Sequence, residues 1–142
     1  MAITARYILV CDDVRREDNG KIIIIGLYLP DMAVPQIPFI LPTLTFFCNL
    51  ESDRPGNYSM QVKLRHEDSG RDIAQAVAML PVVDPTQPVI VPIKFGNAQI
   101  NSAGLYSFSL EIQNQAPIVV TFNVQLVMPR AGQQGGPPMG TR

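Results

Sequence analysis

The sequence predicts an all-β sandwich of two sheets, and three observations carry that prediction. Stretches of six to ten residues alternate apolar with polar side chains, the period of a half-buried strand. Thirteen prolines in 142 residues argue against long helices and for short strands joined by punctuated loops. Two hairpins also share one grammar: Gly56-Asn57-Tyr58-Ser59 opens one, and Gly104-Leu105-Tyr106-Ser107 opens another 48 residues later.

Each element follows from its residues. Thr4–Cys11 is a compact apolar strand that runs into the charged stretch 12–18. Asn19-Gly20 then turns the chain, since both residues tolerate positive φ. Lys21–Leu29 returns with four consecutive isoleucines, Ile22 to Ile25. Being β-branched and apolar on both faces, they predict a central strand covered on both sides, or one covered by a neighbouring chain. The segment Pro30–Pro42 holds four prolines and reads as an irregular crossing. Leu44–Leu50 is a strand with Leu44, Phe46, Cys48 and Leu50 on one face. Tyr58–Arg65 alternates without a break and turns at Glu67-Asp68-Ser69-Gly70. Ile73–Leu80 returns as a strand, although its alanines also permit a short helix. Val89–Phe95, Leu105–Gln113 and Ile118–Val127 complete the count, the last two joined by Asn114–Pro117. About eight mostly antiparallel strands in 1–128 give an immunoglobulin-like β-sandwich. Residues 129–142 lack any apolar period and are rich in Gly, Pro and Gln, which predicts a disordered tail.

Composition narrows the function classes. A formal charge of −1 provides no global field toward nucleic acid or anionic lipid. Residues 1–72 carry 18 of the 23 charged side chains, so the back half must solvate its surface with Ser, Thr, Asn and Gln. Weakly charged strand faces cost less to desolvate against a partner. Cys11 and Cys48 sit in apolar runs and read as small buried hydrophobes. No secretory pattern and no stretch of about 20 apolar residues is present, so a cytoplasmic location with reduced thiols is expected.

The run Cys11-Asp12-Asp13-Val14-Arg15, the Gly20-Lys21 turn and Ile25-Gly26-Leu27-Tyr28 resemble the opening of a bacterial family of small β-sandwich proteins of unknown function. Leu41-Pro42-Thr43-Leu44 and the strand Gly104-x-Tyr106-x-Phe108-x-Leu110-x-Ile112 extend the resemblance over roughly residues 5–127. At the last hairpin, Asn114-Gln115-Ala116-Pro117 stands where the family has an Asp-Gly type of turn. The resemblance implies the sandwich fold, and no activity, ligand or catalytic residue comes with it.

The candidate chemistry is sparse. Asp12 and Asp13, followed by Glu17 and Asp18, supply carboxylates of the kind that bind calcium. Their spacing lacks a calcium loop's alternation, Arg15 and Arg16 neutralise them, and adjacent strand residues point to opposite faces. His66, the single histidine, could pair with Cys11 or Cys48 as a nucleophile, or could be a strand-end residue held by Glu67 and Asp68. Tyr106, and Tyr58 in parallel, fit the tyrosine corner, a structural role. No phosphate loop, dinucleotide fingerprint, Cys-x-x-Cys pair or basic aromatic surface appears.

The expectation is therefore a non-enzymatic binding or assembly module without cofactor or metal, acting through a protein partner or self-association rather than nucleic acid or membrane. Its expected contact face is the polar, uncharged set Ser107, Ser109, Thr121, Asn123 and Gln125, or an edge strand open to strand addition. The alternatives are a structural subunit of a phage-type particle, by fold analogy alone, and a hydrolase or metal-binding protein using His66 and Asp12/Asp13.

Overall fold

A computed structural model describes residues 2–29 and 31–127. Among them are nine strands and no helix: β1 (Ile3–Arg16), β2 (Ile22–Leu27), β3 (Met32–Val34), β4 (Phe39–Ser52), β5 (Gly56–His66), β6 (Arg71–Val82), β7 (Val89–Ile100), β8 (Gly104–Ile112) and β9 (Ile118–Leu126). They form a four-stranded sheet, β2-β1-β4-β7, and a five-stranded sheet, β3-β9-β8-β5-β6. Every pairing is antiparallel except β3 on β9, which is parallel.

The core lies between the sheets, where alternation along each strand sends every second side chain inward. Phe46 of β4 stacks on Phe108 of β8 with ring centroids 3.9 Å apart and planes 6° apart, joining the two layers at their centre. Leu44, Cys48 and Leu50 from β4, and Met60, Val62 and Leu64 from β5, are fully buried around that stack. The two-layer β-sandwich predicted from alternation is thus the fold.

Several expected details change. The crossing segment is not wholly irregular: Met32 and Val34 are buried, so three of its residues add β3 to the five-stranded sheet. The charged stretch is mostly strand, because β1 runs on to Arg16 and pairs with Ile22. The four isoleucines do not lie in a central strand. They belong to β2, at the edge of its sheet, with Ile23 and Ile25 exposed and Ile22 and Ile24 half-buried. The doubly covered strand is β4, in which residues 44–50 are buried on both faces. The alanine-rich return is strand β6, since its backbone pairs with β5 along its whole length. The tail predicted over 129–142 lies outside the described residues.

The shared grammar of the two hairpins has a physical basis. Gly56 and Gly104 hold positive φ, of 154° and 118°. Two residues on from each glycine, a tyrosine hydroxyl donates to the carbonyl four residues back: Tyr58 to Arg54 at 2.9 Å and Tyr106 to Ser102 at 2.7 Å. The unusual last turn is explained as well. Asn114 takes the left-handed conformation, at φ 67°, that a glycine would otherwise supply. Gln115 then clamps β1: its Oε1 accepts from the Ile3 amide and its Nε2 donates to the Ile3 carbonyl, both at 2.9 Å.

Candidate functional site

Residues opposed in an antiparallel ladder point to the same face. On the outer face of the four-stranded sheet, the register therefore aligns Leu27, Cys11, Thr45 and Lys94 in one row. Leu9, Phe47 and Pro92 form the next row, and Tyr7, Asn49 and Ile90 the third. Ile25 and Ile23 continue the β2 column beside Asp13 and Arg15. This face is apolar at its centre. Phe47 is covered by Tyr7, stacked at 6.3 Å, while Tyr7, Ile23, Ile25 and Leu27 remain 44, 43, 41 and 41% exposed. Ion pairs mark its ends: Lys94 with Asp13 at 2.5 Å, and Arg6 with Glu51 at 3.6 Å. Within it, Asn49 is 6% exposed and its Oδ1 has no hydrogen-bond partner among the described residues, an unmet acceptor of the kind that native interiors seldom leave.

The β1–β2 hairpin extends this face. The β1–β4 ladder ends at Cys11 opposite Thr45, and from there β1 pairs only with β2. The distal hairpin is thus a two-stranded arm, with Ile23 and Ile25 on one side and Val14, Ile22 and Ile24 on the other. An isolated two-stranded ribbon is marginal in water. Its closing turn is fixed by the Glu17 amide on the Lys21 carbonyl and the Gly20 amide on the Glu17 carbonyl.

The predicted contact residues lie on the opposite side of the molecule, on the outer face of the five-stranded sheet. Ser107 opposes Thr121, Ser109 opposes Val119, and Asn123 opposes Leu105. Ser107 is buried, with its hydroxyl donating to Glu67 at 2.5 Å. Asp31 accepts from the Asn123 amide at 3.3 Å and from Gln125 Nε2 at 3.5 Å. This surface is not free of charge in space, because β5 places Lys63 beside Ser109 and Arg65 beside Ser107. Lys63 pairs with Glu111, and Arg65 with Glu67 and Asp72.

His66 is buried, and both ring nitrogens are engaged. Nε2 donates to the Ala103 carbonyl at 2.9 Å, and Nδ1 meets the Ser69 hydroxyl at 2.7 Å. Its ring packs on Tyr106 at 4.8 Å. Neither cysteine is its partner: Cys11 Sγ donates to the Thr45 and Asp13 carbonyls, and Cys48 Sγ to the Phe46 carbonyl. Burial pushes the Cys48 thiol up to about 12. The Cys11 thiol also rises, through burial first and then the charges of Asp12 and Asp13. Both changes disfavour the thiolate that a nucleophile needs.

Asp12 and Asp13 diverge, as alternation requires. Asp13 joins Lys94 and Arg15 on the outer face. Asp12 turns the other way and accepts from the Tyr28 hydroxyl at 2.5 Å. That pair lines a pocket of about 390 Å³ with Pro35, Phe39, Pro42 and Thr43. No group of three or more His, Cys, Asp or Glu side chains able to hold a metal ion occurs among the described residues. No helix among them is long and apolar enough to cross a membrane.

A family model described as a family of unknown function, DUF6941, matches residues 6–125. The chain belongs to that family. The DUF6941 match covers nearly the same stretch as the resemblance read from the motifs, and it takes in β1 from Arg6 onward, the arm, the pocket and most of β9. No curated protein matches the chain.

Sequence reasoning did not find the apolar outer face or the Asp12–Tyr28 pair. The phases Tyr7-x-Leu9-x-Cys11 and Ile23-x-Ile25-x-Leu27 carry the face. An unbroken run of isoleucines hides the second phase, since alternation cannot be read where every residue is apolar. The Asp12–Tyr28 pair spans 16 residues across a hairpin, and only the β1–β2 register brings it together.

Proposed function

We propose that the protein is a non-enzymatic binding or assembly module acting through protein–protein contacts, with the outer face of the four-stranded sheet and its arm as the contact surface. The supporting observation is the set of solvent-exposed apolar side chains on that face, Ile23, Ile25 and Leu27 along β2 and Tyr7 two rows further along β1, with the Lys94–Asp13 and Arg6–Glu51 ion pairs at the two ends of the sheet body. An apolar centre inside a charged rim is the anatomy of an interface, and exposed patches of this kind mark interaction sites. All four strands meet in the Leu27–Cys11–Thr45–Lys94 row, and beyond it β1, β4 and β7 at about 4.8 Å spacing make the face about 14 Å wide, enough for one helix to lie on it. The engaged nitrogens of His66, the raised thiols and the divergence of Asp12 from Asp13 support the non-enzymatic part.

The uncharged residues on the other sheet serve this role less well, because Ser107 is already bound to Glu67 and ion pairs flank it. The test is light scattering over a concentration range, on the natural chain and on the double variant Ile23→Lys, Ile25→Lys. Both positions are exposed, so folding stability is expected to change by no more than about 0.5 kcal/mol each. Association of the natural chain that the double variant abolishes supports the assigned face. Association that survives the substitutions overturns it.

A further inference from the structure

The pocket at the base of the arm holds a carboxylate that no basic residue answers. Asp12 takes part in no ion pair within 4 Å among the described residues, and none of the residues lining the pocket is basic. Its neighbour Asp13 is neutralised twice over, by Lys94 and by Arg15. The Tyr28 hydroxyl uses one lone pair of Asp12 Oδ1, and an ionised carboxylate has about four such sites. Gly26 sits against the same carboxylate at φ 67°, and a Cβ there would fall on Asp12 Oδ2, so the backbone is shaped to admit the group. Around it the walls are apolar and aromatic: Tyr28, Pro35, Phe39 and Pro42, with Thr43 as a further polar group. The pocket volume, about 390 Å³, lies within the range of sites that hold a small group.

We propose that this pocket binds an alkylguanidinium group, with Asp12 receiving its charge and Tyr28 and Phe39 flanking its plane. A guanidinium fits better than an ammonium, because it is planar, stacks on aromatic faces and is weakly hydrated. Tyr28 stays a proton donor throughout, since burial and then Asp12 hold its hydroxyl above the ordinary tyrosine range. It thereby fixes Asp12 as an acceptor directed into the pocket. The site goes beyond the partner-binding reading and does not depend on it: Asp12 faces away from the side of the β1–β2 hairpin that carries Asp13, Ile23 and Ile25. The guanidinium belongs either to an arginine side chain or to a free guanidine, and the chemistry is the same for both.

The experiment is an amide-resolved NMR titration with three probes: N-acetylarginine methylamide, agmatine, and the uncharged isostere N-acetylcitrulline methylamide. Saturable shifts at Gly26, Tyr28 and Thr43 are expected for a guanidinium probe, with a dissociation constant on the order of 1 mM for so small a ligand. The citrulline probe is expected to bind at least about tenfold more weakly, and so is the arginine probe to Asp12→Asn. That variant keeps an acceptor for Tyr28 while losing the charge, and Asp18→Asn on the exposed turn is expected to leave binding unchanged. Binding of the capped arginine assigns a side chain as the source, whereas binding of agmatine alone assigns a free guanidine. Equal binding of citrulline, or no saturable shift at these amides, overturns the proposal. The citrulline comparison uses the natural chain, so it decides the matter even if Asp12→Asn fails to fold.

Discussion

Glycine has a different meaning at each of two left-handed positions in the arm. Gly20, at φ 86°, has open space where a Cβ would stand, whereas a Cβ on Gly26, at φ 67°, would meet the Asp12 carboxylate. Gly20→Ala is therefore expected to cost about 1–2 kcal/mol of backbone strain alone. Gly26→Ala is expected to cost more, because Asp12 must also be displaced and its bond to Tyr28 strained. Urea unfolding of both variants checks the order, and equal losses would falsify the assigned contact. On the outer side of the same hairpin, the bond from Lys94 and then the Val14 amide hold the Asp13 carboxyl below the usual carboxylate range. A carboxyl lowered in the folded state stabilises it at pH values above the unfolded value, near 3.9, and that contribution disappears as pH falls through the folded value. The thermal midpoint is expected to fall on acidification below about pH 4. Asp13→Asn should flatten that part of the curve; an unchanged slope would show that Asp13 plays no part in it.

At the scale of elements, β3 is the smallest strand and one of the more informative. Three residues cross from the arm to the second sheet, and their pattern is buried, exposed, buried. Met32→Ala is expected to cost about 2–5 kcal/mol by leaving a cavity, while Ala33→Ser should cost almost nothing. Calorimetry on both variants checks this, and similar losses would mean that β3 is not anchored by its alternation. Three residues are too few for a period to register in a sequence, and the prolines around them point to a loop, so β3 is not legible there. The strands with strict alternation are. Tyr58–Arg65 and Ile118–Val127 lie where their pattern puts them, save that Val127 falls just beyond β9. The isoleucine run misleads because hydrophobicity measures how little a residue needs water, not whether a neighbour covers it. In β4 the outward phase Thr45, Phe47 and Asn49 is partly polar, yet it is buried by strands on both sides and by Tyr7. Burial on that phase comes from topology, which composition does not encode. The candidate contact face is hidden from the sequence for the same reason.

The whole molecule is bound together by long-range pairings. β1 pairs with β4, β4 with β7, and β5 with β8, so each sheet closes only after much of the chain has been made. The two layers meet in the Phe46–Phe108 stack at the centre, and at one margin in the Gln115 clamp on Ile3, which joins the first strand to the last hairpin. That clamp has a mechanical consequence. A load applied to the start of β1 reaches Gln115 before it reaches the body of the β1–β4 ladder, so two side-chain bonds act as a latch on the peeling of the first strand. In a single-molecule pulling experiment with the handle at residue 2, Gln115→Ala should lower the force of the first extension step and leave the later steps unchanged. Equal forces in both chains would mean that the ladder, not the latch, carries the load. The last turn would then owe its glutamine to something other than tension.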